Sequence, residues 1–237
     1  MFIIRRLVVL AIFLVAVFIG ASVVLENVTE SQMSTGIART FDLEARPTVQ
    51  IDAFPFLLRV FQGRIPGITI VARDVTFEGL DVSRFTVDMR GVKADLDVLL
   101  RSDRFDLHVD QGTGSARITE QAINAFLADQ GDDVHVTLRP DGSVHVRVDR
   151  VVGGRSRRFE ATGPLSLSGR TLTFKPNRVT VDGQTPPEAL AARARRETTF
   201  SVEIPKLPGG ILPKDVAVED GVMTLVANLN GYVLRLS

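Results

Sequence analysis

After Pro47, apolar and polar residues alternate with period two along most of the chain, the pattern of strands that bury one face. Phe85, Val87 and Met89 alternate with Thr86, Asp88 and Arg90; the phase slips by one residue at Gly91 and resumes with Val92, Ala94, Leu96 and Val98. Ile68, Ile70 and Ala72 give way in the same manner to Val75 and Phe77. A one-residue slip inside a long strand predicts a β-bulge, which bends the strand and adds twist. In VHVTLRPDGSVHVRV, Val134, Val136 and Leu138 match Val144, Val146 and Val148 across RPDG. Proline and glycine stand there where a type I turn or its bulged hairpin form needs them. Shorter alternations predict further strands at Phe105 to Val109, Phe159 to Ala161, Leu165 to Leu167, Leu172 to Phe174, Val179 to Val181, Phe200 to Ile204 and Val216 to Val218.

Two helices interrupt the strands. ITEQAINAFLADQG carries Thr119 as N-cap, Ile123, Phe126 and Leu127 as an apolar stripe, and Gly131 after its end, each where helix termini favour it. TPPEALAARARRE is expected to start from Thr185 with Pro186 near its first position, where a missing N–H costs nothing. Upstream, Val28, Met33, Ile37 and Phe41 have loosely helical spacing and read as a stalk. No linker-like tract divides the chain beyond Pro47. The fold class is therefore α+β, a long, curved antiparallel sheet with two or three helices. It is divided into a membrane segment at 1–25, a stalk helix at 26–46 and one domain at 47–237.

The membrane segment rests on MFIIRR, whose Arg5 and Arg6 precede the uncharged stretch Leu7 to Leu25. Those residues span about 28 Å as a helix, against a hydrocarbon core of roughly 30 Å. The paired arginines stay cytoplasmic by the positive-inside rule. The expected location is thus a single pass of the cytoplasmic membrane with the domain on the outer side, or secretion if the chain is cleaved near Gly20, Ala21 and Ser22.

The formal charge of the whole chain is zero, and beyond Arg5 and Arg6 it carries 26 basic against 28 acidic residues. No general field exists to hold nucleic acid. Cysteine is absent, which removes disulfides, thiolate metal sites, a thiol nucleophile and a cysteine lipid anchor. Only Lys93, Lys175, Lys206 and Lys214 are lysines, a bias of high-GC bacterial genomes.

No local catalytic motif is present: the glycine and serine pairs do not form a nucleophile elbow, and no glycine-rich loop stands at a strand-to-helix junction. His135 and His145 fall on the polar face of their hairpin. Asp132 with Asp133, and Asp95 with Asp97, read as solvated acids rather than metal ligands. No catalytic residue, metal or cofactor is expected. Two basic clusters remain, Arg155, Arg157 and Arg158 in GGRSRR and Arg193, Arg195 and Arg196 in RARR. Guanidinium forks suit phosphate, so the first cluster supplies candidate head-group contacts; a solvated surface is the other reading.

The segment IDAFPFLLRVFQGRI crowds Phe54, Phe56, Leu57, Leu58, Val60 and Phe61 beside Arg59 and Arg64. It reads either as a hydrophobic plug on one end of the sheet or as a lip at a cavity mouth, with apolar side chains on acyl chains and Arg59 and Arg64 near a phosphate. Taken with the bulged strands ending MRGVKADL and the late FSVEIPKLPGGILPKDVAVEDGVMTL, it resembles the actinobacterial LmeA-like family of exported phospholipid-binding proteins. The matching positions are Phe54, Pro55, Phe56, Leu57, Gly63 and Arg64, then Leu207, Pro208, Gly209, Ile211 and Leu212. The resemblance implies a tubular lipid-binding (BPI-like) fold, in which a strongly curved sheet wraps one long helix and leaves an apolar groove for acyl chains. It also implies a phospholipid or mannosylated phosphatidylinositol ligand and service to the cell envelope. A scaffold for a membrane glycosyltransferase, and an envelope enzyme acting on phospholipid or lipoglycan, are the alternatives.

Overall fold

The computed structural model describes residues 46–52, 64–77, 79–94, 105–131, 133–152, 154–204 and 211–236, together with Ser31, Ser34, Thr35 and Ala38. The described chain is mostly antiparallel β-sheet with two short helices. Its strands are β1 (Thr48–Asp52), β2 (Arg64–Phe77), β3 (Leu80–Ala94), β4 (Phe105–Thr119), β5 (Val134–Leu138), β6 (Val144–Val152) and β7 (Arg155–Gly163). After these come β8 (Leu165–Ser168), β9 (Thr171–Phe174), β10 (Arg178–Val181), β11 (Phe200–Glu203), β12 (Pro213–Glu219), β13 (Val222–Asn228) and β14 (Tyr232–Leu236). The helices are α1 (Glu120–Asp129) and α2 (Glu188–Thr198).

Hydrogen bonding joins β1, β2, β3, β4, β13 and β12 in that order, with β14 also on β4. A second sheet runs β10, β7, β6, β5 and a third β11, β9, β8. Among the described residues two compact units form, one within 1–71, 87–112 and 229–237 and the other within 72–86 and 113–228.

In the first unit, β1 pairs with β2 so that Val49 faces Ile70 and Ile51 faces Ile68, all four buried. Further along the chain, β14 pairs with β4, Tyr232 opposite Val109. The turn before it is held by Leu229 N–H on the Gly112 carbonyl and Gly231 N–H on the Val109 carbonyl, both 2.9 Å. The four helical positions Ser31, Ser34, Thr35 and Ala38 fall in the stretch read as a stalk. Buried Ser34 donates through its hydroxyl to the Pro47 carbonyl at 2.5 Å, tying that stretch to the entrance of β1.

Both phase slips are backbone features. In β2, Ile68, Ile70 and Ala72 are buried, Asp74 takes φ 51°, and burial returns one residue late at Val75. In β3, Gly91 takes φ 63° between buried Met89 and Val92, a left-handed conformation that glycine adopts without steric cost.

The four-stranded sheet supplies a large part of the core of the second unit. Its register places Val136, Leu138, Val144, Val146, Val148, Phe159, Ala161, Val179 and Val181 on one face, and all are buried. Each such side chain contributes about 1.5–3 kcal/mol when fully buried, alanine less. The opposite face carries Thr137, His145, Arg147, Glu160 and Thr180. Helix α2 packs on β6, β7 and β10 through buried Ala191, Ala194 and Thr198, whose small side chains let its backbone lie close to the sheet. The hairpin turn is as expected: Gly142 N–H donates to the Arg139 carbonyl at 3.1 Å, Arg139 N–H to the Ser143 carbonyl at 2.9 Å, and Gly142 takes φ 82°.

Helix α1 starts where its sequence predicts, with Thr119 Oγ1 accepting from Ala122 N–H at 3.2 Å. Helix α2 does not. Its N-cap is Pro187, without a side-chain cap, rather than Thr185. The reason is the second proline: Pro187 keeps the residue before it, Pro186, out of the helical region, so the first turn cannot form until Glu188.

Candidate lipid-binding surfaces

The three-stranded sheet of the second unit sorts its side chains by chemistry. Cross-strand pairs place Leu165, Phe174 and Phe200 in one row and Leu167, Leu172 and Val202 in the next, on the same face. The opposite face holds Ser166, Thr173 and Ser201, then Ser168, Thr171 and Glu203. Phe174 and Phe200 stack at 5.4 Å. Of the apolar six, Phe174 and Leu172 are buried, Leu165, Leu167 and Phe200 are half-buried, and Val202 is 37% exposed. This face therefore keeps apolar area in reach of a ligand, while its reverse is suited to water.

A second half-buried apolar cluster lies at the β2–β3 turn. Phe77 and Phe85 meet edge to face at 5.9 Å, and a Cβ at Gly79 would stand 4.0 Å from the Phe126 ring of α1. No residue of α1 is buried, including Ile123, Phe126 and Leu127. The stripe predicted from sequence exists and is only partly covered.

Polar chemistry concentrates on the β6–β7 hairpin. Arg157 Nη1 donates to Asp182 Oδ2 at 2.9 Å, and the Arg158 backbone N–H donates to Asp182 Oδ1 at 2.9 Å. Arg158 Nε reaches Asp149 Oδ1 at 3.3 Å. The Asp182 carboxyl is held below the usual carboxylate range, first by the Arg158 N–H and then by the Arg157 side chain and charge. Asp149, Ser156, Arg158, Glu160, Asp182 and Gly183 line an open polar depression beside it. Arg155 is exposed. In the other cluster, Arg193 pairs with Glu197 at 3.8 Å and Arg195 with Glu188 at 3.1 Å.

Of the residues singled out at the lip or plug, Phe54, Phe56, Leu57, Arg59, Val60 and Phe61 lie outside the described residues, as do Leu207, Pro208 and Gly209. Arg64 opens β2 and is exposed. The strands flanking that segment are antiparallel neighbours, Asp52 opposite Gly67, so it joins two strands at one end of their pairing. Ile211 is half-buried and Leu212 is 57% exposed.

A family model described as LmeA-like phospholipid-binding matches residues 20–228. The chain belongs to that family. The LmeA-like match spans β1 through β13. Neither the curated proteins nor the solved structures gave a match. Each of the two half-covered apolar clusters is a candidate surface for acyl chains. Leu165, Leu167, Phe200 and Val202 are legible in the sequence as strand positions but not as a site; their alternation with serine and threonine is the available signal. Asp182, the partner of two arginines, carries none, being remote from them in sequence. Among the described residues, no helix is long and apolar enough to cross a membrane, and the anchor expected at 1–25 falls outside them.

Proposed function

We propose that this LmeA-like protein holds the acyl chains of a phospholipid, or of a mannosylated phosphatidylinositol lipid, in an apolar groove of a curved sheet that wraps a helix. Membership of a phospholipid-binding family over residues 20–228 carries the reading. The three-stranded sheet supports it with an apolar face only partly covered by protein. Each buried methylene contributes roughly 0.8 kcal/mol, so partial burial of two chains suffices for useful affinity, and polar groups need only orient the head. Phe54, Phe56, Leu57, Val60 and Phe61 form the lip through which a chain enters, with Arg59 and Arg64 near the phosphate. The uncharged stretch from Leu7 to Leu25 tethers the protein to the cytoplasmic membrane with its domain outside, where it serves envelope lipid or lipoglycan assembly.

The test is mass spectrometry of organic extracts from protein purified without detergent, joined to exchange of labelled phospholipid between vesicles. Co-purifying lipid and measurable exchange are expected. A lipid-free protein that exchanges nothing overturns the reading.

A further inference from the structure

The β6–β7 hairpin outruns its sheet. β5 pairs only with Val144 to Val148 of β6, and β10 only with Phe159 to Thr162 of β7. Residues 149–152 and 154–158 therefore extend as a ribbon whose two strands hydrogen-bond to each other up to Val152 opposite Arg155, with the Arg158 carbonyl at its base still accepting from Asp182 N–H at 2.9 Å.

The composition of this ribbon departs from the rest of the chain. Four arginines, Arg150, Arg155, Arg157 and Arg158, stand against one acid, Asp149, a local charge of +3 in a chain whose total is zero. Arg150 lies directly opposite Arg157, and Arg155 follows on the same face. Like charges placed opposite each other destabilise a strand pair. Asp182 offsets Arg157, and Asp149 offsets Arg158, while Arg150 donates to the Asp149 carbonyl at 3.2 Å, which leaves its charge in place. On the other face near the tip, Val151 is 73% exposed. An exposed valine among excess arginines has the chemistry of a segment that meets anionic head groups with its charge and the acyl boundary with its side chain.

We infer that the β6–β7 ribbon docks the protein end-on upon an anionic phospholipid bilayer, so that Val151 on one face reaches the acyl boundary while Arg150 and Arg155 on the other meet head-group phosphates. This deepens the proposed function, since a lipid carrier must meet the bilayer that supplies its ligand. It rests on that reading only for the presence of lipid.

The chain has no cysteine, so Val151→Cys gives one attachment point for an environment-sensitive fluorophore. A label at Asp141→Cys, on the turn at the other end of β6, is the control. Full-length protein is reconstituted in vesicles of phosphatidylcholine alone or with phosphatidylglycerol. On phosphatidylglycerol vesicles the label at position 151 is expected to shift to the blue and to be quenched by brominated lipid, and the label at 141 to do neither. The shift should vanish near 1 M salt, where the screening length is about 3 Å. Arg150→Ala with Arg155→Ala is expected to lower the ratio of docked to undocked label about thirtyfold, and exposed Arg155→Ala alone about fivefold, from the usual contribution of a basic residue near such a surface. No shift at 151, an equal shift on phosphatidylcholine alone, or a ratio indifferent to both variants overturns the inference. Lipid extracted from the same preparations is measured separately: docking without bound lipid counts against the proposed function, and bound lipid without docking counts against the ribbon.

Discussion

Asn124 holds the backbone of Val136 with both ends of its amide: Nδ2 donates to the Val136 carbonyl at 2.8 Å, and Oδ1 accepts from the Val136 N–H at 2.8 Å. Two positions on, Glu120 Oε2 accepts from Leu138 N–H at 2.8 Å. Helix α1 thereby supplies the pairing that β5, the last strand of its sheet, would otherwise seek in another strand. Unpaired edges of this kind invite association with other chains. Asn124→Ala is expected to cost about 1–3 kcal/mol by leaving two backbone groups without partners. Urea denaturation measures the loss, and light scattering at raised temperature should show earlier aggregation. A wild-type midpoint would mean that water replaces the amide without cost.

Gly163 and Gly67 separate two kinds of close approach. A Cβ at Gly163 would stand 2.5 Å from the Lys175 carbonyl oxygen and 2.8 Å from Pro176 Cα, both backbone atoms. One at Gly67 would meet the end of the Asp52 side chain at 3.0 Å, which can turn aside. Gly163→Ala is expected to lose about 1–3 kcal/mol through the forced backbone shift, and Gly67→Ala to lose clearly less. Parallel thermal melts decide between them.

Val202 and Ser201 are neighbours on opposite faces of the three-stranded sheet. If acyl chains use the apolar face, Val202→Asp lowers co-purified lipid severalfold and Ser201→Asp leaves it unchanged, with both melting temperatures near wild type. Phe56→Asp should likewise reduce lipid uptake without unfolding the protein. A collapse of the fold in that variant would make the segment a plug rather than a lip.

His145 titrates below its ordinary value of 6.5 because burial penalises the charged ring, with Arg139 adding repulsion. The unfolded chain therefore binds the proton more readily than the folded one. Stability is level above neutral pH and falls as pH drops through 6.5, with the loss complete below the folded value. His145→Gln should flatten urea midpoints between pH 7.5 and 5.5. Asp141 and Asp182 sit below 3.8, held first by the Ser143 side chain and the Arg158 N–H respectively. Their contribution is present above 3.8 and lost only as pH falls through their lower folded values, so this second loss persists in the His145 variant.

Asp182→Asn tests the charge balance of the ribbon. Both partners of the Arg157 ion pair are well exposed, and such pairs contribute little. Asparagine also tolerates the φ of 50° found there. The melting temperature is expected to stay within a few degrees while docking on phosphatidylglycerol vesicles strengthens. Weaker docking would show that Asp182 organises the arginines rather than masking one.

Much of this fold is legible in the sequence wherever one face is apolar and the other polar. The β5–β6 register, the N-cap at Thr119 and both phase slips follow from residues close together in the chain. β13 is harder to read because Val222 and Val226 stand on the face opposite Met223, Leu225 and Ala227, so the contrast between its faces is weak. β1 and β14 are short, and the pairing of β4 with β13 and β14 joins segments more than a hundred residues apart. The arginine cluster is visible as charge, but its carboxylate partner, remote in sequence, is visible only once β7 and β10 are paired.

The late return of burial in β2 governs how this strand can change length. Removing one residue at Arg73 or Asp74 would bring Val75 into step with Ile68, Ile70 and Ala72, giving a regular strand with its apolar side chains still together. Removing one between Ile68 and Ala72 would send the residues on one side of the gap to the wrong face. Relatives that differ by a single residue in this strand should carry the gap at Arg73 or Asp74, and a straighter edge at that point.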